Sequence, residues 1–121
     1  MANLNINNTS DQNLSMVRGD TLAFGIEIEG NTQDLDSAFF SVKQDIDSDQ
    51  YLFRKSLGYG ITKVGIGDNF IQYRVRVAPE DTENIEDGNY YYDLEIGLNG
   101  DIFTVLRGVL TILKAVERKE F

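Results

Sequence analysis

Asn99 and Gly100, set between two runs of alternating apolar and polar residues, constrain this chain more than any other feature. A two-residue type I′ turn needs positive φ at both central positions, and Asn-Gly tolerates that better than other pairs. Before the turn, residues 89–98 place Tyr90, Tyr92, Leu94, Ile96 and Leu98 on one face, with Tyr91, Asp93, Glu95 and Gly97 on the other. Residues 101–112 must therefore return antiparallel to them. Period two puts Phe103 and Val105 on one face of that strand and Ile102, Thr104, Leu106, Leu110 and Ile112 on the other, with a bulge expected at Gly108.

The same alternation recurs upstream. Residues 21–29 set Leu22, Phe24, Ile26 and Ile28 against Ala23, Gly25, Glu27 and Glu29, and residues 70–77 set Ile71, Tyr73, Val75 and Val77 against Gln72, Arg74 and Arg76. Residues 37–43 form a further strand, with Ala38, Phe40 and Val42 facing inward and Phe39 outward. Shorter strands are expected at Met16 and Val17, from Tyr51 to a stop before Gly58, and at 61–64. Pro79, the single proline, followed by Glu80 and Asp81, fits the first turn of a short helix. No segment carries a long amphipathic helical pattern, so the expected fold is all-β, a sandwich of about seven antiparallel strands, with a barrel as the second choice.

At 121 residues the chain suits one domain around one core. Residues 1–12 are polar and Asn-rich, offer only Leu4 and Ile6 for burial, and are expected to be a flexible arm. The sandwich should occupy 13–113, leaving 114–121 as a charged tail, a frayed helix or a linker. The amino terminus lacks the charged and apolar regions of a signal peptide, so neither a signal peptide nor an anchor is expected.

Twenty Asp and Glu outweigh eleven Lys and Arg, a formal charge of -9 that repels phosphate backbones and anionic lipid. The basic cluster near the end, Arg118 and Lys119, is flanked by Glu117 and Glu120 and falls far short of a basic patch, so neither nucleic acid nor membrane is an expected partner. The sequence has no Cys and no His, which removes disulfides, thiolate nucleophiles and imidazole acid–base chemistry. No catalytic residue, cofactor or metal site is expected.

Three motifs have a functional spelling. Asp45, Asp47 and Asp49 imitate the start of a calcium loop, but Gln50 and Ser56 stand where glycine and a bidentate glutamate belong, so a solvated acidic turn is the expectation. Arg18-Gly19-Asp20 spells an integrin tripeptide, yet it leads into a strand and reads as a tight turn. Asp93 and Glu95, two apart on one strand face, lie about 7 Å from each other, a spacing that glycosidases use and that surface strands show by chance. Exposed aromatic and basic residues are better candidates for contacts with a partner: Phe39, Tyr59, Arg74, Arg76 and Tyr91.

The run Glu86-Asp87-Gly88-Asn89-Tyr90-Tyr91-Tyr92 resembles the corner motif of immunoglobulin domains, with Glu86, Gly88 and Tyr90 matching and Tyr92 where the second cysteine would be. The resemblance implies an immunoglobulin-like sandwich in which Tyr90 is a structural tyrosine corner. More widely, the Gly19-Asp20-Thr21 strand opening and the Gly88-to-Leu94 run before the Asn-Gly turn are similar to the amino-terminal immunoglobulin-like domain of siphophage baseplate upper proteins. That implies a non-catalytic structural protein of a phage or prophage virion, a tail or baseplate component bound to other tail proteins. A homo-oligomer is compatible with symmetric virion sites. The alternative is a carbohydrate-binding or adhesive module whose exposed aromatics form a stacking platform.

Overall fold

The computed structural model describes residues 2–5 and 8–116. Among them lie ten strands and one helical turn: β1 (Ala2–Asn5), β2 (Ser10–Asp11), β3 (Leu14–Val17), β4 (Leu22–Glu29), β5 (Ser37–Lys43), β6 (Phe53–Leu57), β7 (Gly60–Ile66), β8 (Phe70–Val77), α1 (Pro79–Thr82), β9 (Gly88–Leu98) and β10 (Asp101–Leu113). The fold is all-β, as expected, but its strands form one hydrogen-bonded sheet of ten rather than about seven. The order is β1-β4-β8-β7-β6-β5-β9-β10-β2, with β3 also paired to β10.

Side-chain alternation sets which face each strand buries. In β8, Ile71, Tyr73, Val75 and Val77 are buried while Arg74 and Arg76 are exposed; in β9, Tyr90, Tyr92, Leu94 and Ile96 are buried while Tyr91 is exposed. The sheet curls so that distant strands meet. β4 and β5 are separated by three strands in the sheet, yet the Phe24 and Phe40 rings pack edge to face with centroids 5.8 Å apart. Phe40 in turn lies against Tyr92 at 5.3 Å, so aromatic packing fills the space between the two halves.

The Asn99-Gly100 turn has the expected backbone, with φ of 55° and 85°, and joins β9 to β10 as an antiparallel hairpin. The bulge in that hairpin falls at Val105, between Thr104 and Leu106, and not at Gly108. One extra residue reverses the parity of everything after it. Phe103 therefore packs against the core from the same side as Leu106, Leu110 and Ile112, while Ile102, expected beside them, is 61% exposed. Gly108 serves a different purpose: a β-carbon there would collide with the backbone carbonyl of Gln12.

The amino-terminal segment also departs from the expected flexible arm. β1 pairs in parallel with β4, and Leu4 is buried in the core. β2 and β3 pair in parallel with β10, and the Tyr92 hydroxyl donates to the Gln12 carbonyl. A polar sequence signals little burial, but backbone groups offered by an open sheet edge pair with any extended chain. The expected short strand at 61–64 is longer, because a second bulge between Lys63 and Gly65 extends its pairing with β8. Residues 114–116 have no regular structure; Ile6, Glu117, Arg118, Lys119 and Glu120 lie outside the described residues.

Candidate functional site

Strand registers assemble the outward face of β6, β5, β9, β10 and β2. Cross-strand partners align Arg54, Ser41, Asp93, Arg107 and Asp11 in one polar row across those five strands. Both ends of the row are tied down: Arg54 Nε donates to Ser41 Oγ at 3.0 Å, and Arg107 Nε donates to Asp11 Oδ1 at 3.0 Å. The Asp93 carboxylate between them makes no side-chain hydrogen bond or ion pair among the described residues. Its pKa is raised, chiefly because partial burial disfavours the charged form and secondarily by Glu95, with Lys43 and Arg54 opposing.

The next row along the strands is Lys43, Tyr91 and Val109, one residue from each of β5, β9 and β10. All of the two rows but Arg54 lines a groove of about 390 Å³, with Asp11 of β2 towards one side and Ile46 from the loop after β5 towards the other. At the β6 end of the polar row, Arg54 is held between two rings, its guanidinium carbon 4.2 Å from the Phe39 centroid and 4.2 Å from that of Tyr51. Such stacking fixes a flexible cation at low entropy cost.

The five candidate contact residues do not share one surface. Phe39 and Tyr91 belong to this face, Phe39 in the arginine stack and Tyr91 in the groove. Tyr59 and Arg76 line a separate depression of about 380 Å³ beside α1, and Arg74 lies along the exposed face of β8 opposite Gly25 and Thr62. Lys55, on the inward side of β6 with Phe53 and Leu57, is a buried cation that also lines this depression; its Nζ is 2.7 Å from Asp81 Oδ2 and 4.3 Å from the Tyr59 ring centroid. Tyr90 donates its hydroxyl to the Glu86 carbonyl at 2.5 Å, across the corner entering β9.

The other spelled motifs are absorbed locally. Gly19 N donates to Thr82 Oγ1 at 2.8 Å, and the Arg18 guanidinium reaches the Ile85 carbonyl at 3.5 Å, so the Arg-Gly-Asp turn is packed on α1 and does not protrude. Ser48 N bonds the Asp45 carbonyl at 3.1 Å, closing a turn, and among the described residues no three acidic side chains converge as metal ligands. No helix among the described residues is long and apolar enough to cross a membrane.

No protein-family profile matches the sequence, and no similar curated protein was found. Among solved structures, the chain is similar to part of a family 123 glycoside hydrolase from Clostridium perfringens, studied for glycolipid glycan hydrolysis, with a TM-score of 0.51 at 12% identity. The match covers 89% of this chain and only 24% of the hydrolase, and at that identity it speaks for the all-β fold alone. A looser superposition, TM-score 0.38 at 12% identity over 88% of this chain and 93% of the other, relates it to the extracellular domain of the voltage-gated sodium channel β4 subunit, described as a parallel homodimer in cell–cell adhesion.

Proposed function

We propose that this protein is a non-catalytic assembly module of a phage or prophage virion, an immunoglobulin-like sandwich that docks on a neighbouring tail or baseplate subunit. The observation that carries the assembly reading is Arg54 clamped between Phe39 and Tyr51 on an outward sheet face, with Leu52 41% exposed close by in sequence. Pre-ordered arginine and aromatic side chains are the residues that dominate protein–protein binding energy, because they bury much area and lose little freedom. The phage assignment draws on the resemblance of the Gly19-Asp20-Thr21 and Gly88-to-Leu94 segments to baseplate upper proteins. The sandwich reading draws on the Tyr90 corner bond and on the Phe24–Phe40 packing between the β4 and β5 halves of the sheet.

The test is mass spectrometry of density-purified particles from an induced culture of the host bacterium, run for the native chain and for Arg54→Ala. Stoichiometric recovery of the native chain, with loss of Arg54→Ala from particles while that variant remains folded, is the expected result. Intact particles that consistently lack the native chain would refute the virion reading.

A further inference from the structure

Asp93 is the centre of the polar row, and the pair at each end of the row is already bonded within itself: Arg54 with Ser41, Arg107 with Asp11. The remaining charged groups of the groove are the Asp93 carboxylate, without a hydrogen bond, and the Lys43 ammonium, which likewise has no ion pair among the described residues. Directly beside them, Tyr91 is 38% exposed and is flanked in register by Val109, giving an apolar platform, and Ile46, 70% exposed, forms the wall above it. The charges lining the groove cancel, with Asp11 and Asp93 against Lys43 and Arg107. An anionic ligand would meet two carboxylates and a cationic one would meet an ammonium and a guanidinium. A neutral ligand with one apolar face and several hydroxyls satisfies every group: its flat face stacks on Tyr91, its hydroxyl hydrogens go to Asp93, and its oxygens accept from Lys43. The volume, about 390 Å³, falls within the range of small-ligand sites.

We propose that the groove between β5, β9 and β10 binds a neutral oligosaccharide, with Tyr91 as the stacking platform and Asp93 and Lys43 as the groups that fix the hydroxyls. This activity is separate from assembly through the Arg54 stack and stands or falls independently of it. The soluble head of a surface glycan is the occupant, and no lipid contact is required.

The test is a ¹⁵N NMR titration of the full chain with lactose, maltotriose and N,N′-diacetylchitobiose at millimolar concentration, with 3′-sialyllactose and spermine as charged comparators. The expected result is saturable shifts of the Ser41, Tyr91, Asp93 and Val109 amides with at least one neutral sugar. Tyr91→Ala and Asp93→Ala should each weaken that binding about tenfold, the loss of roughly one good contact, while Tyr91→Phe retains it. Dispersed spectra of the variants establish that they fold. The proposal is overturned if none of the neutral sugars perturbs the groove, if the shifts map elsewhere, if Tyr91→Ala binds normally, or if spermine or the sialylated sugar alone binds there. Co-sedimentation with lactosylceramide vesicles in the absence of any response to free lactose would place recognition in the lipid and equally overturn it.

Discussion

Lys55 Nζ lies 2.7 Å from Asp81 Oδ2, and the two side chains are only 5% and 9% exposed. The pair ties β6 to α1, and the same carboxylate oxygen accepts from Ala78 N at 2.7 Å, closing the first turn of the helix. A buried ion pair need not outperform an apolar pair of similar volume, but removing one partner strands the other charge in the interior. Lys55→Ala is therefore expected to destabilise the fold by about 3–5 kcal/mol in urea denaturation. The double variant Lys55→Met with Asp81→Leu should lose less than Lys55→Ala, a non-additivity that a merely volumetric effect would not produce.

The corner at Tyr90 gives a smaller effect. Tyr90→Phe removes the hydroxyl that bonds the Glu86 carbonyl but keeps the ring in the core. A loss of about 1 kcal/mol is expected, since one hydrogen bond goes and the carbonyl can turn to water. A fall in the urea midpoint with an unchanged slope would agree with it; an unchanged midpoint would not.

Gly108 limits how closely the amino-terminal segment can lie on β10. Gly108→Ala would drive a β-carbon into the Gln12 carbonyl, where the Tyr92 hydroxyl also bonds. Destabilisation of about 1–3 kcal/mol is expected, the range for inserting a methyl into a filled space. Limited proteolysis should detect new cleavage close to Gln12, because β2 and β3 can detach before the rest of the sheet opens.

Tyr92 makes stability fall in alkali. Burial first, and then Asp11, pushes its hydroxyl pKa from 10.0 up to about 12. The unfolded chain thus loses this proton at lower pH than the folded one, so the contribution is full below pH 10 and is lost as pH rises from 10 towards 12. Tyr92→Phe should flatten that part of the profile, measured as urea midpoints across the window, at the cost of the bond to Gln12.

Asp93 makes the fold most favourable to a protonated carboxyl. Its pKa is raised above the usual 3.8 by burial and Glu95, against the opposing pull of Lys43 on β5 and Arg54 on β6, with Arg107 of β10 facing it in register. The proton-linked stabilisation is therefore full below the unfolded value and is lost as pH rises through the folded one. Asp93→Asn, which never ionises, should melt at higher temperature than the native chain at neutral pH, and the difference should vanish in acid. A variant that melts lower at neutral pH would contradict this balance of charges.

Much of the architecture was legible in the residues. The bounds of β5 and β8, the faces of β4 and β9, the turn at Asn99 and Gly100 and the helix start at Pro79 all follow from local patterns. Period two puts Lys55 on the inward side of β6 with Phe53 and Leu57, but that a cation could stay buried there was not legible, because its partner Asp81 comes from α1, far along the chain. Tyr91 and Asp93 were visible as outward residues, but the polar row needs registers from five strands, and no local pattern encodes those.

The sequence by itself determined which segments are strands and which way most side chains point, because period two is a property of extended backbone and needs no partner. Tertiary structure decided the rest. The parallel seating of β1 on β4, the bulge at Val105 that turns Ile102 outward, and the alignment of Asp93 between Ser41 and Arg107 depend on pairing between residues far apart in the chain. Those pairings are set by which edges remain open and which cavities must be filled once the core has closed.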